Sequence, residues 1–321
     1  MDKVLGMGNA LIDIMTKLEN DSILSELSLP KGSMQLVDTS FSNKVMDKTK
    51  HLNPILTSGG SAANTIHGLA KLGIKTGFIG KVGNDKMGDF FKADLEQSNI
   101  SPLLLQSQTP SGQAIALVSH DSERTFATYL GAAVELSGDD IFPDAFNDYN
   151  YFHIEGYLVQ NHQLIEKALK TAKDKGLKIS LDLASYNVVE DNLEFLKRVV
   201  AEYVDIVFAN EEEAKAFTGK EPEGALNDLA NICEIAVVKI GKAGSLIKTG
   251  GKSYKAGIIN VKSIDTTGAG DLYAAGFLYG LINGKTMETC GKLGSLLSGK
   301  VIENLGAKIS NDGWSFIESQ I

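Results

Sequence analysis

Asp265-Thr266-Thr267-Gly268-Ala269-Gly270-Asp271 sets two glycines around one alanine and a carboxylate directly after them. The run that follows, Leu272 to Ile282, carries Leu272, Ala275, Gly276, Tyr279 and Ile282 on one helical face and closes with Asn283-Gly284, a common way to leave a helix. Gly268 to Gly270 therefore fall at a helix N-terminus, where backbone N–H groups lack partners and the macrodipole favours negative charge. Glycine lets a ligand approach the backbone closely, so the segment reads as an anion cradle formed by Gly268, Ala269 and Gly270. Asp271 then stands beside the anion, where a general base for a hydroxyl nucleophile belongs. The competing reading is an ordinary glycine-rich helix start capped by an acid.

Working outward, Ser58-Gly59-Gly60-Ser61-Ala62-Ala63-Asn64 leads into an amphipathic helix ending near Leu72-Gly73, and Gly77 to Gly83 runs on into Asn84-Asp85. Short apolar runs alternate with helical patterns along the chain. The strands read as Val4–Met7, Gly77–Gly80, Tyr151–Ile154, Lys178–Leu181, Asp205–Phe208 and Ile235–Ile240; the helices include Ala62–Leu72, Asp89–Gln97, Gln163–Lys175 and Thr286–Glu303. That alternation predicts an α/β fold with a mainly parallel central sheet flanked by helices. Two stretches break the rhythm, about 10–17 with 33–38 and about 112–130, and read as polar/apolar strands. Within the second, Gln113–Val118 and Arg124–Tyr129 around His120-Asp121-Ser122 have the look of a hairpin.

Both glycine motifs, in this order and about 200 residues apart, resemble the signatures of the ribokinase-like (PfkB) family of carbohydrate and nucleoside kinases. The resemblance covers essentially the whole chain. It implies one three-layer unit over 1–321, with a core of about 1–9, 39–111 and 131–321 and a small β-sheet lid inserted as about 10–38 and 112–130. Asp271 would be the base, Gly268, Ala269 and Gly270 the anion hole, and Arg124 of the lid hairpin a contact to the transferred phosphate. Asn210 and Glu213, in Asn210-Glu211-Glu212-Glu213, resemble the family's Asn-x-x-Glu motif and would organise ATP phosphates and Mg²⁺, with Glu213 acting through water. Lys239, Gly241 and Gly244 match the segment that carries the nucleotide, although the family commonly has Thr or Ser where this chain has Lys239.

On the acceptor side the resemblance points to Asn9, Asp13, Gly59, Gly60 and Asn64. A carboxylate can take two hydrogen bonds from a vicinal pair of hydroxyls. Met34, Leu36 and Leu117 offer apolar surface for a base. Several strings, among them Gly8–Ile14 and Leu29–Asp38, resemble the adenosine-kinase branch. The expected reaction is transfer of the ATP γ-phosphate to the primary hydroxyl of a ribonucleoside, adenosine giving AMP in purine salvage. Free ribose or fructose, and a non-catalytic nucleoside- or sugar-binding relative, stay open as alternatives. The family also allows K⁺ near Asp265, and either a monomer or a homodimer.

Composition narrows the field. Hydrophobic residues make up 43% and charged residues 22% of 321, the net charge is −9 and the isoelectric point is about 5.2. An acidic chain has no basic face for nucleic acid or for anionic membrane. Cys233 and Cys290 lie in apolar, helix-like surroundings and read as reduced thiols. The opening Met1–Gly8 runs straight into a strand without a secretory leader, so a cytoplasmic protein is expected. Gly6-x-Gly8 lacks the third glycine and the helix of a dinucleotide fingerprint, and Gly280 to Thr286 is one residue short of a P-loop and lies at a helix end. No Cys/His spacing suits zinc.

Overall fold

The computed structural model describes residues 2–121 and 123–321; Met1 and Ser122, the latter in the expected hairpin turn, lie outside the described residues. In chain order the strands are β1 (Lys3–Met7), β2 (Leu11–Lys17), β3 (Met34–Leu36), β4 (Ile55–Gly59), β5 (Lys75–Gly83), β6 (Ile100–Ser107), β7 (Gly112–Val118), β8 (Arg124–Tyr129), β9 (Tyr151–Glu155), β10 (Lys178–Asp182), β11 (Ile206–Asn210), β12 (Ile235–Lys239), β13 (Ser245–Thr249) and β14 (Lys252–Ala256). Nine of them form one sheet in the order β14-β13-β12-β11-β10-β9-β1-β5-β6. It is parallel from β12 to β6 and antiparallel at the β12-β13-β14 edge.

Strand residues alternate between two cores, as a period of two requires. Phe208, Val237 and Phe78 turn to one face, beneath helices Ser61–Lys71, Ala269–Ile282 and Met287–Val301. Val207, Val238, Leu181 and Ile154 turn to the other, beneath His162–Asp174, Leu193–Tyr203 and Glu211–Thr218. Phe277 meets Phe208 edge-on at 5.5 Å between ring centroids, a favoured aromatic geometry. Helices Ser61–Lys71 and Ala269–Ile282 touch closely because Gly68 lacks a side chain. A Cβ there would lie 2.7 Å from Ala275 Cβ, too close to fit. That contact brings the two glycine motifs together.

The other five strands form a second sheet, β3-β8-β7-β2-β4. β7 and β8 are the expected hairpin, pairing antiparallel from Gln113↔Tyr129 to Val118↔Arg124. Two features differ from the sequence reading. β4 belongs to this sheet, antiparallel to β2, although Ile55–Gly59 lies outside the 10–38 and 112–130 spans; its five residues run directly into the Gly59-Gly60 turn and leave little period to read. A short helix, Ser22–Glu26, interrupts the first span. β6, β13 and β14 are further strands the apolar runs did not reveal. β6 carries Pro102 and sits at the sheet edge, where a missing N–H is tolerated. β13 and β14 are only five residues each, and β14 carries two lysines and is mostly exposed. Among the described residues no helix is long and apolar enough to cross a membrane.

Candidate active site

Ligand sites in open α/β sheets lie beyond the carboxyl ends of the strands. Five neighbouring strands here end in polar groups: Lys239 on β12, Asn210 on β11, Asp182 on β10, Glu155 on β9, and Asn9 two residues past β1. All five line one cavity of about 1500 Å³ that runs from the second sheet to the loops after β14.

The Asp265–Asp271 segment forms the cavity's middle. Gly268, at φ 75°, is the N-cap of helix Ala269–Ile282, with no side chain capping it. Only glycine holds that conformation without strain. The Ala269 N–H is taken by the Thr266 carbonyl at 3.2 Å. Gly268 and Gly270 make no such bond among the described residues, so the expected anion cradle narrows from three free amides to these two. The turn that creates the cradle consumes the middle donor. Asp265 stabilises the loop: its Oδ1 accepts from Thr267 N at 2.6 Å and its Oδ2 from Gly306 N at 2.8 Å. Arg124 reaches across from β8 and donates to both Asp265 Oδ1 and Thr267 Oγ1. The guanidinium thus stands at the carboxylate beside which K⁺ was expected. Arg124 does not line the cavity itself; it braces the loop from the lid side.

Asp271 lies in the first turn of that helix and faces the cavity. Ser61 Oγ donates to its Oδ1 at 2.8 Å and Asn64 Nδ2 to its Oδ2 at 3.0 Å. Burial raises its pKa to about 6; the Asn64 and Ser61 hydrogen bonds and the Lys239 charge pull down against burial, and Asp182 adds to the rise. A carboxylate so poised can take a proton near neutral pH.

At the acceptor end, Asn9, Asp13, Gly60, Asn64, Met34 and Leu36 line the cavity. Met34 and Leu36 are 62% and 65% exposed, an unusual waste of apolar surface on a strand unless something covers it. Gly59 does not line the cavity but backs Asp13: a Cβ on Gly59 would lie 2.2 Å from the Asp13 carboxyl carbon. Leu117 is also misplaced by the sequence reading. It is fully buried because alternation on β7 turns it, like Ile115, into the apolar core. Asn9 Oδ1 and Asn64 Oδ1 are buried acceptors without a partner in the protein, and such atoms usually have one. Burial raises Asp13 to about 7, with Lys308 opposing and Asp271 reinforcing the rise.

Glu155 went unnoticed in the sequence. Its Oε1 accepts from Asn9 N at 2.9 Å and Asn9 Nδ2 at 2.8 Å, and its Oε2 from Ala62 N at 2.8 Å. It thereby fixes the turn after β1 against the Gly-Gly motif. Burial lifts its pKa to about 7 in spite of these three bonds. Asp182 was missed too; its Oδ2 accepts from Lys239 Nζ at 2.8 Å. Their position as the last residue of a parallel strand was the available signal.

At the far end, Asn210 and Glu213 form a reciprocal capping box: Asn210 N donates to Glu213 Oε2 at 2.7 Å, Asn210 Nδ2 to Oε1 at 2.7 Å, and Glu213 N to Asn210 Oδ1 at 2.8 Å. Burial raises the Glu213 pKa, with Lys239 opposing. Burial presses the Lys239 ammonium down, yet Asp182 and Glu213 hold it above its ordinary value. Its Nζ would lie 3.0 Å from a Cβ on Gly270, so the lysine that departs from the family pattern sits at the anion cradle. Gly241 and Gly244 line the same end, together with Ile258, Ile259 and Gly299, an apolar slot that the sequence did not mark. The P-loop imitation, Gly280 to Thr286, straddles the exit of helix Ala269–Ile282, away from the cavity. Cys233 and Cys290 are free thiols.

Comparison with known proteins gives the family. Residues 34–313 match the model of the pfkB family carbohydrate kinases, and the chain belongs to that family. It resembles the adenosine kinase of Sinorhizobium meliloti at 33% identity and a TM-score of 0.88, covering 100% of this chain and 99% of the other. The probable sugar kinase of Rhizobium etli CFN 42 is alike at 33% identity and TM-score 0.88, over 99% and 98% of the two chains. The 5-dehydro-2-deoxygluconokinase of Clostridium perfringens is 30% identical over 79% of this chain and 80% of its own length. The fold is therefore ribokinase-like with a β-sheet lid, and the protein is a phosphotransferase with an alcohol group as acceptor.

Proposed function

We propose that this kinase transfers the γ-phosphate of ATP to the primary hydroxyl of a ribonucleoside, adenosine above others. One observation carries the choice of acceptor. The acceptor end combines Asp13 with the exposed apolar side chains Met34 and Leu36, while the cationic side chains lining the cavity among the described residues, Lys239 and Lys242, both belong to the other end. A gluconate-type acceptor carries a carboxylate, and a buried carboxylate calls for a cation or several donors. A nucleoside instead brings two vicinal hydroxyls for Asp13 and a flat apolar base for Met34 and Leu36. Ribose or fructose would use Asn9, Asp13 and Asn64 and leave Met34 and Leu36 bare; this second reading draws support from the sugar-kinase names among the relatives.

In the proposed reaction Asp271 takes the proton of the attacking hydroxyl, and the N–H groups of Gly268 and Gly270 hold the moving phosphoryl group. Lys239 adds a fixed positive charge beside them. Arg124, which donates to Asp265 and Thr267, would serve that phosphate through the loop it holds. Glu213 has both oxygens on Asn210, and no group of three or more His, Cys, Asp or Glu gathers to hold a metal among the described residues. Mg²⁺, which keeps several waters, would be held near Asp182 and Glu213 through them. When bound, Mg²⁺ would neutralise phosphate charge. The test is product identification: adenosine, ATP and Mg²⁺ are incubated with the protein, and AMP with its phosphate on the 5′ oxygen is expected by phosphorus NMR. Phosphate on any other oxygen, or none on adenosine, contradicts the reading.

A further inference from the structure

Asp182 and Lys239 end two strands that lie on either side of β11. Asp182 pairs with Phe208, and Phe208 with Val237, two residues before Lys239. Paired residues of a sheet share a face, so both side chains point to the side of Phe208 and Val237, which helix Ala269–Ile282 covers. The lysine reaches back across the end of β11, and its Nζ donates to Asp182 Oδ2 at 2.8 Å. The two side chains are only 16% and 7% exposed, so the pair is nearly sealed from solvent. Beyond the ammonium stands Gly270, whose missing side chain leaves Nζ its place: a Cβ there would lie 3.0 Å from it. An ammonium has three donors, and only one is spent, on Asp182, among the described residues.

Asp182 is the fixed member of the pair. Its Oδ1 accepts from Ala184 N at 2.9 Å. Leu183 N donates to the Phe208 carbonyl at 3.0 Å and Ser185 N to the Leu183 carbonyl at 2.8 Å. These bonds keep Ala184 at φ 66°, a left-handed conformation that costs a residue with a side chain energy and persists only where its surroundings over-determine it. The turn also presses on the backbone of Gly156, where a Cβ would lie 2.7 Å from the carbonyl oxygens of both Asp182 and Leu183. The flexible lysine is therefore the group that is held, and the turn is what holds it.

We propose that Asp182 is a positioning residue for phosphoryl transfer: it holds the Lys239 ammonium beside the Gly268 and Gly270 amides, where its two remaining donors meet the transferred phosphoryl group. A lysine stem has many rotamers; one tied to a fixed carboxylate needs little reorganisation as charge moves. The proposal rests on the reading of the cradle as the seat of that group.

The test compares wild type, Asp182→Asn, Lys239→Met and the double variant. On each, kcat and the KM for ATP are measured with adenosine, together with ADP affinity and melting temperature. Capture of fluoroaluminate, a mimic of the transferred phosphoryl group, by the ADP complex in Mg²⁺ is followed by fluorine NMR. Lys239→Met should lower kcat about 10²-fold, as for loss of one preorganised donor, with the KM for ATP little changed. Asp182→Asn should lower kcat about tenfold, as for a coupled neighbour. The double variant should be no slower than Lys239→Met, because residues that act as a unit are not additive. It removes both charges at once, so it keeps the test open should either single variant, with its unpaired buried charge, fail to fold. A further loss when Asp182→Asn is added to Lys239→Met shows Asp182 acting independently of the lysine and overturns the proposal. Equal weakening of ADP with and without fluoroaluminate makes the pair a nucleotide-binding or packing feature and also overturns it. Capture needs no acceptor turnover. Capture by wild type that is lost in both single variants supports the pair even where adenosine is not phosphorylated, and the acceptor reading alone then fails. Wild type that neither turns over nor captures fluoroaluminate overturns both.

Discussion

Asn64 donates from its side-chain amide to Asp271 Oδ2 at 3.0 Å, joining residues 207 apart in sequence. The Gly-Gly motif and the Gly-Ala-Gly-Asp motif thus meet at a single carboxylate, with Ser61 on its other oxygen. The two donors hold Asp271 against the pull of burial and aim it at the space between the acceptor end and the anion cradle.

Replacing that carboxylate is the first prediction. Asp271→Asn keeps shape and loses the base, so kcat should fall by about 10²–10⁴-fold, the usual worth of a general base. ATP affinity should survive, because the cradle is made of backbone. Measuring kcat and nucleotide affinity on the same preparation decides it. A variant that keeps a tenth or more of wild-type kcat removes Asp271 from the role.

The second prediction is a pH profile. As the proposed base Asp271 must be deprotonated, and its pKa is raised to about 6, so kcat should drop as pH falls through about 6. Ser61→Ala removes one of the two bonds that favour the charged form, and the acid limb should move to higher pH. A limb unmoved in Ser61→Ala would mean that another group sets it.

Much of this was legible in the sequence, for a physical reason. Glycines at Gly268 and Gly270 and the acid at Asp271 are demanded by backbone geometry and local charge, which short motifs record. The alternating apolar runs of β1, β9, β10 and β11 follow from burial on both faces of a parallel sheet. The Asp182–Lys239 pair was not legible, since its members come from two separate strands that only tertiary packing brings together. Glu155 and Asp182 were hidden in the same way, each at the end of a run that otherwise reads as core. Leu117 was misread because its alternation phase was visible but the identity of the face was not. The Ala269 N–H depends on a turn bond that no residue type announces.

A third prediction concerns the acceptor carboxylate. Asp13→Ala should weaken adenosine by roughly 1.5–3 kcal/mol, as for a hydrogen bond to a charged group, and leave ATP affinity unchanged. Wild type should bind 2′-deoxyadenosine less well than adenosine, and Asp13→Ala should treat the two alike. Equal affinities in wild type would contradict a hydroxyl clamp.

The lid gives a fourth. Arg124 on β8 ties the second sheet to Asp265 and Thr267 of the anion loop. Its removal should lower kcat more than it raises the acceptor KM, because the charge it meets grows in the transition state. Hydrogen exchange in β7 and β8 should slow when acceptor binds, as a closing lid requires. Unchanged exchange together with wild-type kcat in Arg124→Ala would leave the arginine as a structural brace.

The central claim is that the cavity between Asp13 and the Met34–Leu36 wall is built for a nucleoside. Its most direct test is kcat/KM for adenosine, ribose, fructose and 5-dehydro-2-deoxygluconate, measured side by side as acceptor-dependent ADP release at saturating ATP and Mg²⁺. Adenosine is expected to lead each of the others by at least about tenfold, the low end of what one well-filled apolar pocket contributes, and Leu36→Asp should erase most of that lead. A higher kcat/KM for the gluconate or for either free sugar would contradict the account.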